Sequence, residues 1–261
     1  MTAIRLLLLT ASNSVVRLRE VPMRPSSSNP DLVMAFPPAG GSEAAFAQVF
    51  KSLDDLETSV VRYPVERHQL LSRIAGLDDR AGSPKAGRAI AVIGASLGAV
   101  AAVEAVKLLE GCGITVSCAL VLSAVAPHCR QASLRQEWSD ADLLDLVERA
   151  SGDVPQSFSS PEVRSYAFDR LRRDLEWGQS RPALPRNPLR CPLIAIRGQH
   201  DALVSAPEGT TEWAQWTHSQ FTTCTVPGGS HFFFGEPIGA LSVTQALRSC
   251  LKPKHVFEES E

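Results

Sequence analysis

The residues best suited to chemistry form the pentapeptide Gly94-Ala95-Ser96-Leu97-Gly98, which matches the pattern G-x-S-x-G. An apolar run leads into it and an amphipathic pattern follows it, which is the strand–turn–helix setting of a nucleophile elbow. Small flanking residues permit the sharp turn and its strained backbone angles. We therefore predict that Ser96 is a nucleophile. The alternative is an ordinary strand–helix turn with a capping serine.

A serine nucleophile needs a base to accept its proton, and His231 is the best placed histidine. The six candidates are His68, His128, His200, His218, His231 and His255. His231 follows the strand-like run Phe221–Val226 and the loop Pro227–Ser230. A base on a late loop fits the chain order of serine, then acid, then histidine. Without Ser96, the same position would equally suit a histidine on a surface loop.

Asp201 is the candidate for the acid that orients His231. It follows the apolar run Leu193–Ile196, so it lies at the carboxyl edge of a strand, where such sheets place their ligands. The loop after the run Thr115–Leu122 contains no carboxylate, which favours Asp201. We expect it to hold the imidazole in the correct tautomer. The alternative is that it only caps the following turn.

Stabilisation of a tetrahedral oxyanion requires two N–H donors. One is the backbone N–H of the residue after the nucleophile, Leu97. The other should come from a loop after an early strand, and the glycine-containing stretch Phe36–Ser42 fits this position. We predict that the N–H of Ala39 is the second donor.

The elements that must position these residues follow an α/β pattern. Apolar runs of strand length alternate with helical patterns, which favours a mainly parallel sheet flanked by helices. The clearest helix is predicted over Leu97–Glu110. The predicted strands are Leu32–Phe36, Ser59–Tyr63, Ala89–Ile93, Thr115–Leu122, Pro192–Ile196 and Phe221–Val226, preceded by a first strand at Leu6–Leu9.

One stretch, about 131–187, interrupts this alternation. It contains two helical patterns, around 138–150 and 161–177, and no convincing strand. Many α/β-hydrolases carry a helical lid at this place, and we expect one here; the alternative is two ordinary packing helices. We expect residues 1–261 to form a single α/β-hydrolase domain.

Composition limits the other classes of function. The formal net charge of −2 gives no basic signature of a nucleic-acid-binding protein. No apolar run approaches the roughly 18 residues of a transmembrane helix, and the run at Leu6–Leu9 is too short for a secretory signal. Six scattered cysteines indicate reduced thiols. We therefore expect a cytoplasmic protein that binds neither nucleic acid nor membrane.

Several motifs in order resemble those of the type II thioesterases that accompany nonribosomal peptide and polyketide synthetases. The resemblance covers about 33–251 and includes an F-P-x-A-G-G-S loop, an L-R-x-D element and a P-G-G-H-F-F ending. These are matched here by Phe36–Ser42, Leu171–Asp174 and Pro227–Phe233. The sequence departs from the family pattern at Ala95, where a histidine is usual, and at Ser230, which is inserted before His231.

The resemblance implies a substrate and a partner. Members of this family hydrolyse acyl thioesters on the phosphopantetheine arm of carrier proteins, so phosphopantetheine would be part of the substrate. No metal or redox cofactor would be needed, and we expect a monomer. Three alternatives remain at this point: an acyltransferase to a carrier thiol or an amine, a carboxylesterase acting on oxygen esters, and a non-catalytic protein that binds carrier domains.

Overall fold

The computed structural model describes residues 31–65, 67–75, 89–129, 137–180, 187–204 and 207–251. The strand predicted at Leu6–Leu9 lies outside the described residues. The first and last parts of the predicted insertion, 131–136 and 181–186, also lie outside them.

A six-stranded, entirely parallel sheet forms the centre of the described chain. This topology confirms the predicted α/β class. The carboxyl ends of all six strands meet at one edge, where parallel sheets place their ligands. The strands are β1 Leu32–Phe36, β2 Glu57–Val60, β3 Ile90–Ala95, β4 Cys118–Leu122, β5 Leu193–Gly198 and β6 Phe221–Val226. They lie side by side in the order β2-β1-β3-β4-β5-β6.

Four strands differ in their bounds from the sequence prediction, β3 and β5 by one or two residues and β2 and β4 by up to three. The second was predicted at Ser59–Tyr63 but pairs with β1 from Glu57, opposite Leu32, and ends at Val60, opposite Ala35. Similarly, β4 begins at Cys118, opposite Ala91, and not at Thr115. Strand limits follow the hydrogen bonds offered by the neighbouring strand, whereas the prediction followed the apolar run.

Helices cover both faces of the sheet because successive strand residues point to opposite sides. Leu32, Met34 and Phe36 pack on one face with the helix that follows β3, and Val33 and Ala35 pack on the other with the first and last helices of the described chain. The α-helices are α1 Ala47–Lys51, α2 Arg67–Ala75, α3 Leu97–Gly111, α4 Asp140–Ser151, α5 Pro161–Ser180, α6 Pro207–Thr211 and α7 Pro237–Leu251. Short 3₁₀ turns occupy Glu43–Phe46, Pro127–Cys129, Gln156–Ser159, Glu212–Trp216 and Phe233–Gly235.

The two predicted helices between β4 and β5 are present as α4 and α5, and the described residues between them contain no strand. Ser139 caps α4 through a reciprocal capping box with Asp142, and Gly152 ends the helix with a φ of 80°. The buried Leu143, Phe168 and Leu171 give this segment a small core of its own. We call residues 137–180 the helical insertion.

No helix in the described ranges is both long enough and apolar enough to cross a lipid bilayer.

Candidate active site

Ser96 lies between β3 and α3 in a conformation that few serines adopt. Its φ of 53° and ψ of −120° fall outside the favoured regions, as expected for a nucleophile elbow. Its N–H donates to the carbonyl oxygen of Leu122 on the neighbouring strand at 2.8 Å, which fixes the turn at the carboxyl edge of the sheet. The predicted strand–turn–helix context of Ser96 is therefore present.

The loop predicted to supply the second oxyanion donor lies directly against this elbow. A Cβ added to Gly98 would overlap the carbonyl oxygens of Phe36 and Pro37, so only glycine permits this approach. We call residues Phe36–Ser42 the oxyanion loop, after the donor predicted within it. Among the described residues, the N–H groups of Ala39 and Leu97 donate to no acceptor, and both remain available.

His231 and Asp201 form a buried pair. The ring Nδ1 lies 2.9 Å from Asp201 Oδ1, and the two side chains are 3% and 0% exposed. The same carboxylate oxygen accepts the N–H groups of Leu203 at 2.9 Å and Val204 at 3.0 Å. Asp201 therefore both caps the following turn and holds the imidazole. The two roles that the sequence allowed for it, turn cap and partner of His231, are compatible.

Burial alone would raise the pKa of Asp201, but the hydrogen bond and charge of His231 and the Leu203 amide outweigh it. The pKa of this carboxyl is consequently below its usual value, and the carboxylate is ionised at neutral pH. An ionised carboxylate only accepts hydrogen bonds, so Nδ1 of His231 carries the ring proton. In the neutral imidazole Nε2 is then the acceptor, which is the tautomer that a general base requires.

The loop carrying His231 crosses the end of β5 on its way back from β6. A Cβ on Gly198 would overlap the carbonyl oxygens of Gly229 and Ser230, so the crossing requires glycine at this position. The crossing brings His231 from the outer strand towards β3, where Ser96 lies. No hydrogen bond in the described part of the chain joins Ser96 Oγ to the ring; such bonds are often long before substrate binds.

We expect Gly198→Ala to lower both stability and activity, because the atoms that its Cβ would meet are backbone atoms that cannot rotate away. Overpacking of this kind typically costs about 1–3 kcal/mol. Gly111→Ala is the matched control, since a Cβ there meets nothing within 4 Å. Thermal melting and a hydrolysis assay would measure the two effects. Equal melting temperatures for the two variants would contradict the crossing geometry.

A second group of polar side chains resembles a metal site in composition. His128, Cys129 and Glu212 each offer one ligand atom, all within 4.8 Å of one another. The indole N–H of Trp216, which can only donate, lies 2.9 Å from His128 Nδ1. The ring proton is therefore on Nε2, which donates to Glu212 Oε2 at 3.1 Å. A metal bound at Nε2 would displace that proton, and Nδ1 could not carry it because it accepts the Trp216 N–H. The ring would then have no proton on either nitrogen, so these three residues fit a hydrogen-bonded chain better than a metal site.

Two residues at this edge of the sheet were not found from the sequence. Ser123 directly follows β4, is buried with a φ of 46°, and lowers the pKa of Asp201. Asp174 of α5 accepts the N–H of Gly40 in the oxyanion loop at 2.7 Å. Ser123 could not be found because a single serine in a loop has no distinguishing sequence pattern. Asp174 belongs to the Leu171–Asp174 element, which the sequence analysis recognised as a motif without assigning a role to it.

The family model for the thioesterase domain matches residues 32–248, which includes every site residue described above. The chain belongs to the thioesterase family. The match confirms the resemblance that the ordered motifs indicated, and the parallel sheet agrees with the α/β-hydrolase fold. The roles of Ser96, Asp201 and His231 remain predictions.

Relatives of this thioesterase include both free-standing and multidomain proteins. It is 28% identical over 219 residues to thioesterase TesA of Mycobacterium marinum, covering 79% of this chain and 86% of TesA. It is also 28% identical over 225 residues to phenyloxazoline synthase MbtB of Mycobacterium tuberculosis, covering 83% of this chain. The chain spans only 16% of the length of MbtB.

Among solved structures, this thioesterase is similar to YbtT, a type II thioesterase from the yersiniabactin NRPS/PKS biosynthetic pathway. The TM-score is 0.66 at 26% identity, over 88% of this chain and 98% of YbtT.

Proposed function

We propose that this chain hydrolyses acyl thioesters on the phosphopantetheine arm of carrier proteins in nonribosomal peptide or polyketide biosynthesis. The observation that carries the proposal is the buried hydrogen bond between His231 and Asp201, at the same sheet edge as the strained elbow of Ser96. Membership of the thioesterase family supports a thioester as the bond that is cleaved.

In the proposed acylation step, Ser96 Oγ attacks the thioester carbonyl carbon and passes its proton to His231 Nε2. The carbonyl oxygen becomes an oxyanion, which accepts hydrogen bonds from the N–H groups of Ala39 and Leu97. When the oxyanion collapses, the C–S bond breaks and the pantetheine sulfur takes the proton from His231. The acyl group is then held as an ester of Ser96.

Water completes the cycle by the reverse sequence of proton transfers. It attacks the acyl-Ser96 carbonyl and gives a proton to His231, and the Ser96 oxygen leaves and recovers that proton. The product is a free carboxylic acid. Asp201 stays ionised throughout and stabilises the imidazolium that forms twice in each cycle.

The structure contains an apolar cavity, which supports the proposal that the protein binds the acyl chain of its substrate. Its volume is about 330 Å³, and apolar side chains and glycines of the described residues line it. The oxyanion loop contributes Ala39, the segment after His231 contributes Phe232 and Phe234, and the helical insertion contributes Phe168 and Leu171. We propose that the insertion acts as a lid over an acyl chain bound here. A largely apolar chain of modest size suits this cavity.

The proposed partner is an acyl- or peptidyl-carrier domain, which would present its phosphopantetheine arm to Ser96. Phosphopantetheine is then part of the substrate, and the proposed steps use no metal or redox cofactor. All six cysteines are free thiols, which supports a reducing compartment such as the cytoplasm.

We expect acyl-carrier thioesters to exceed oxygen esters of the same acid in kcat/KM by at least about tenfold, or 1.4 kcal/mol of transition-state binding. Contacts with the carrier provide binding energy remote from the reacting bond. Three substrates with the same acyl group would be compared: the acyl-carrier thioester, the acyl-pantetheine thioester and an oxygen ester. The comparison separates the contribution of the carrier protein from that of the thioester bond. Preference for the oxygen ester would favour a carboxylesterase. Product formed only after an added thiol or amine would favour an acyltransferase.

A further inference from the structure

Helix α5 of the insertion holds the oxyanion loop through two charged side chains. Asp174 Oδ2 accepts the N–H of Gly40 at 2.7 Å, and the guanidinium of Arg170 donates to the carbonyl oxygen of Gly41 at 2.6 Å. Hydrogen bonds with a charged partner are roughly twice as strong as neutral ones. The loop is therefore fixed from the insertion as well as from the sheet.

These bonds determine the direction of the Ala39 N–H through a tight turn. The N–H of Gly41 donates to the carbonyl oxygen of Pro38 at 2.8 Å, and Gly40 has the positive φ, 69°, that a type II turn needs at its third residue. The Pro38 carbonyl and the Ala39 N–H belong to one planar peptide and point in opposite directions. Fixing Gly40 and Gly41 thus also aims the Ala39 N–H.

The same helix touches the other proposed donor. A Cβ on Gly178 would lie 2.6 Å from Leu97 Cδ1, and a Cβ on Gly40 would lie 3.4 Å from Leu171 Cβ. Leu171 and Gly178 are seven positions apart on α5, which corresponds to about 10 Å along the helix axis. One helix therefore packs against both the oxyanion loop and the nucleophile elbow.

Asp174 is half-buried and surrounded by polar and charged partners. Burial raises its pKa, and the Gly40 N–H and the nearby Arg170, Arg173 and Arg62 oppose that rise. The phenol of Tyr63 also faces the carboxylate and has a pKa raised by burial and by Asp174. A half-buried carboxylate is costly unless its hydrogen bonds compensate for the loss of water.

We propose that Asp174 and Arg170 are positioning residues that aim the Ala39 N–H at the oxyanion, so that the docking of the helical insertion sets transition-state stabilisation. This inference rests on the proposed hydrolysis of thioesters. It predicts that the insertion contributes to the rate of the chemical step and not only to the binding of the acyl chain.

The first test is kinetic. Asp174→Ala should lower kcat about 10- to 100-fold while KM changes less than about threefold, because removal of a whole oxyanion donor costs about 10²–10³. Asp174→Asn keeps an oxygen acceptor for the Gly40 N–H and should recover most of the rate. Asp169→Ala is the matched control: the same change on the same helix, at an exposed carboxylate paired with Arg172.

The second test separates positioning from folding. A trifluoromethyl ketone with the acyl chain of the substrate reacts with Ser96: Oγ adds to the carbonyl carbon, the proton passes to His231, and the oxygen becomes an oxyanion. Asp174→Ala should weaken this inhibitor by the same factor as kcat/KM. Binding of the corresponding unreactive amide, measured by calorimetry, should stay within about twofold of wild type, since it forms no oxyanion.

The outcomes distinguish this inference from the proposed function. An active wild type with an unchanged Asp174→Ala variant would overturn the positioning role alone. Equal losses for ketone and amide, with a lowered melting temperature, would also overturn it in favour of a structural role. A wild type inactive on every thioester would overturn the proposed function and the inference together.

Discussion

Ser96→Ala should abolish the release of acid from an acyl-carrier thioester, with a loss in kcat of about 10⁶-fold. The substitution removes the atom that forms the acyl-enzyme, and no other group in the proposed mechanism can replace it. The strained backbone at φ 53° is set by the strand and helix on either side. The fold should therefore tolerate alanine, with a melting temperature close to that of wild type.

The measurement is product analysis by mass spectrometry, combined with the intact mass of the protein. Wild type should show a transient acyl adduct on the peptide that contains Ser96, and the variant should show none. Ser242→Ala is the matched control, because that exposed hydroxyl donates only to the carbonyl of Ile238 on its own helix. Turnover retained by Ser96→Ala would exclude it as the nucleophile.

Local patterns were enough to predict the centre of the fold. β1, β3 and α3 lie where the apolar runs and the helical spacing placed them, to within one or two residues. Both faces of these strands are buried, so their continuous apolar runs match their hydrogen-bonded length to within two residues. The strand β2 was misplaced by two or three residues at its ends because it lies at the edge of the described sheet, where its limits depend on β1, its one neighbour among the described strands.

The candidate site could be predicted only from the order of its residues in the chain and from the residue types in its turns. The elbow at Ser96 and the loop at Ala39 have local signatures, and the order of acid and base suggested Asp201 and His231 as partners. The structure places those two side chains 2.9 Å apart. The two residues follow different strands, so the sequence could suggest that they are partners but could not give the distance between them.

The contacts of α5 show what lay beyond sequence reasoning. The bond from Gly40 to Asp174 joins residues 134 positions apart, and no local pattern encodes it. The same is true of the approach of Gly178 to Leu97. A helix in an insertion has an amphipathic pattern that predicts its existence, whereas the rotation and depth of its docking depend on the shape of the surface below it.

Asp201→Asn should lower kcat/KM about 10³- to 10⁴-fold, because the amide cannot enforce the tautomer in which Nδ1 of His231 carries the proton. It also cannot stabilise the imidazolium, so the loss should fall on kcat more than on KM. Asp145→Asn is the matched control, since that exposed carboxylate pairs only with Arg149 one helical turn away. Nitrogen NMR of the His231 ring would report the tautomer directly. A near-normal rate would move the role of the acid to another residue.

The same variant should change the pH dependence of stability in a defined direction. The pKa of Asp201 is lower in the folded protein than its usual value, so the ionised carboxylate stabilises the fold at neutral pH. That contribution is complete above the unfolded pKa of about 4 and is lost as the pH falls through the lower, folded pKa. Asparagine does not titrate, so the difference in melting temperature between wild type and variant should narrow on acidification below about pH 4. A difference that stayed constant over that range would show that the hydrogen bond to His231 does not stabilise the ionised form.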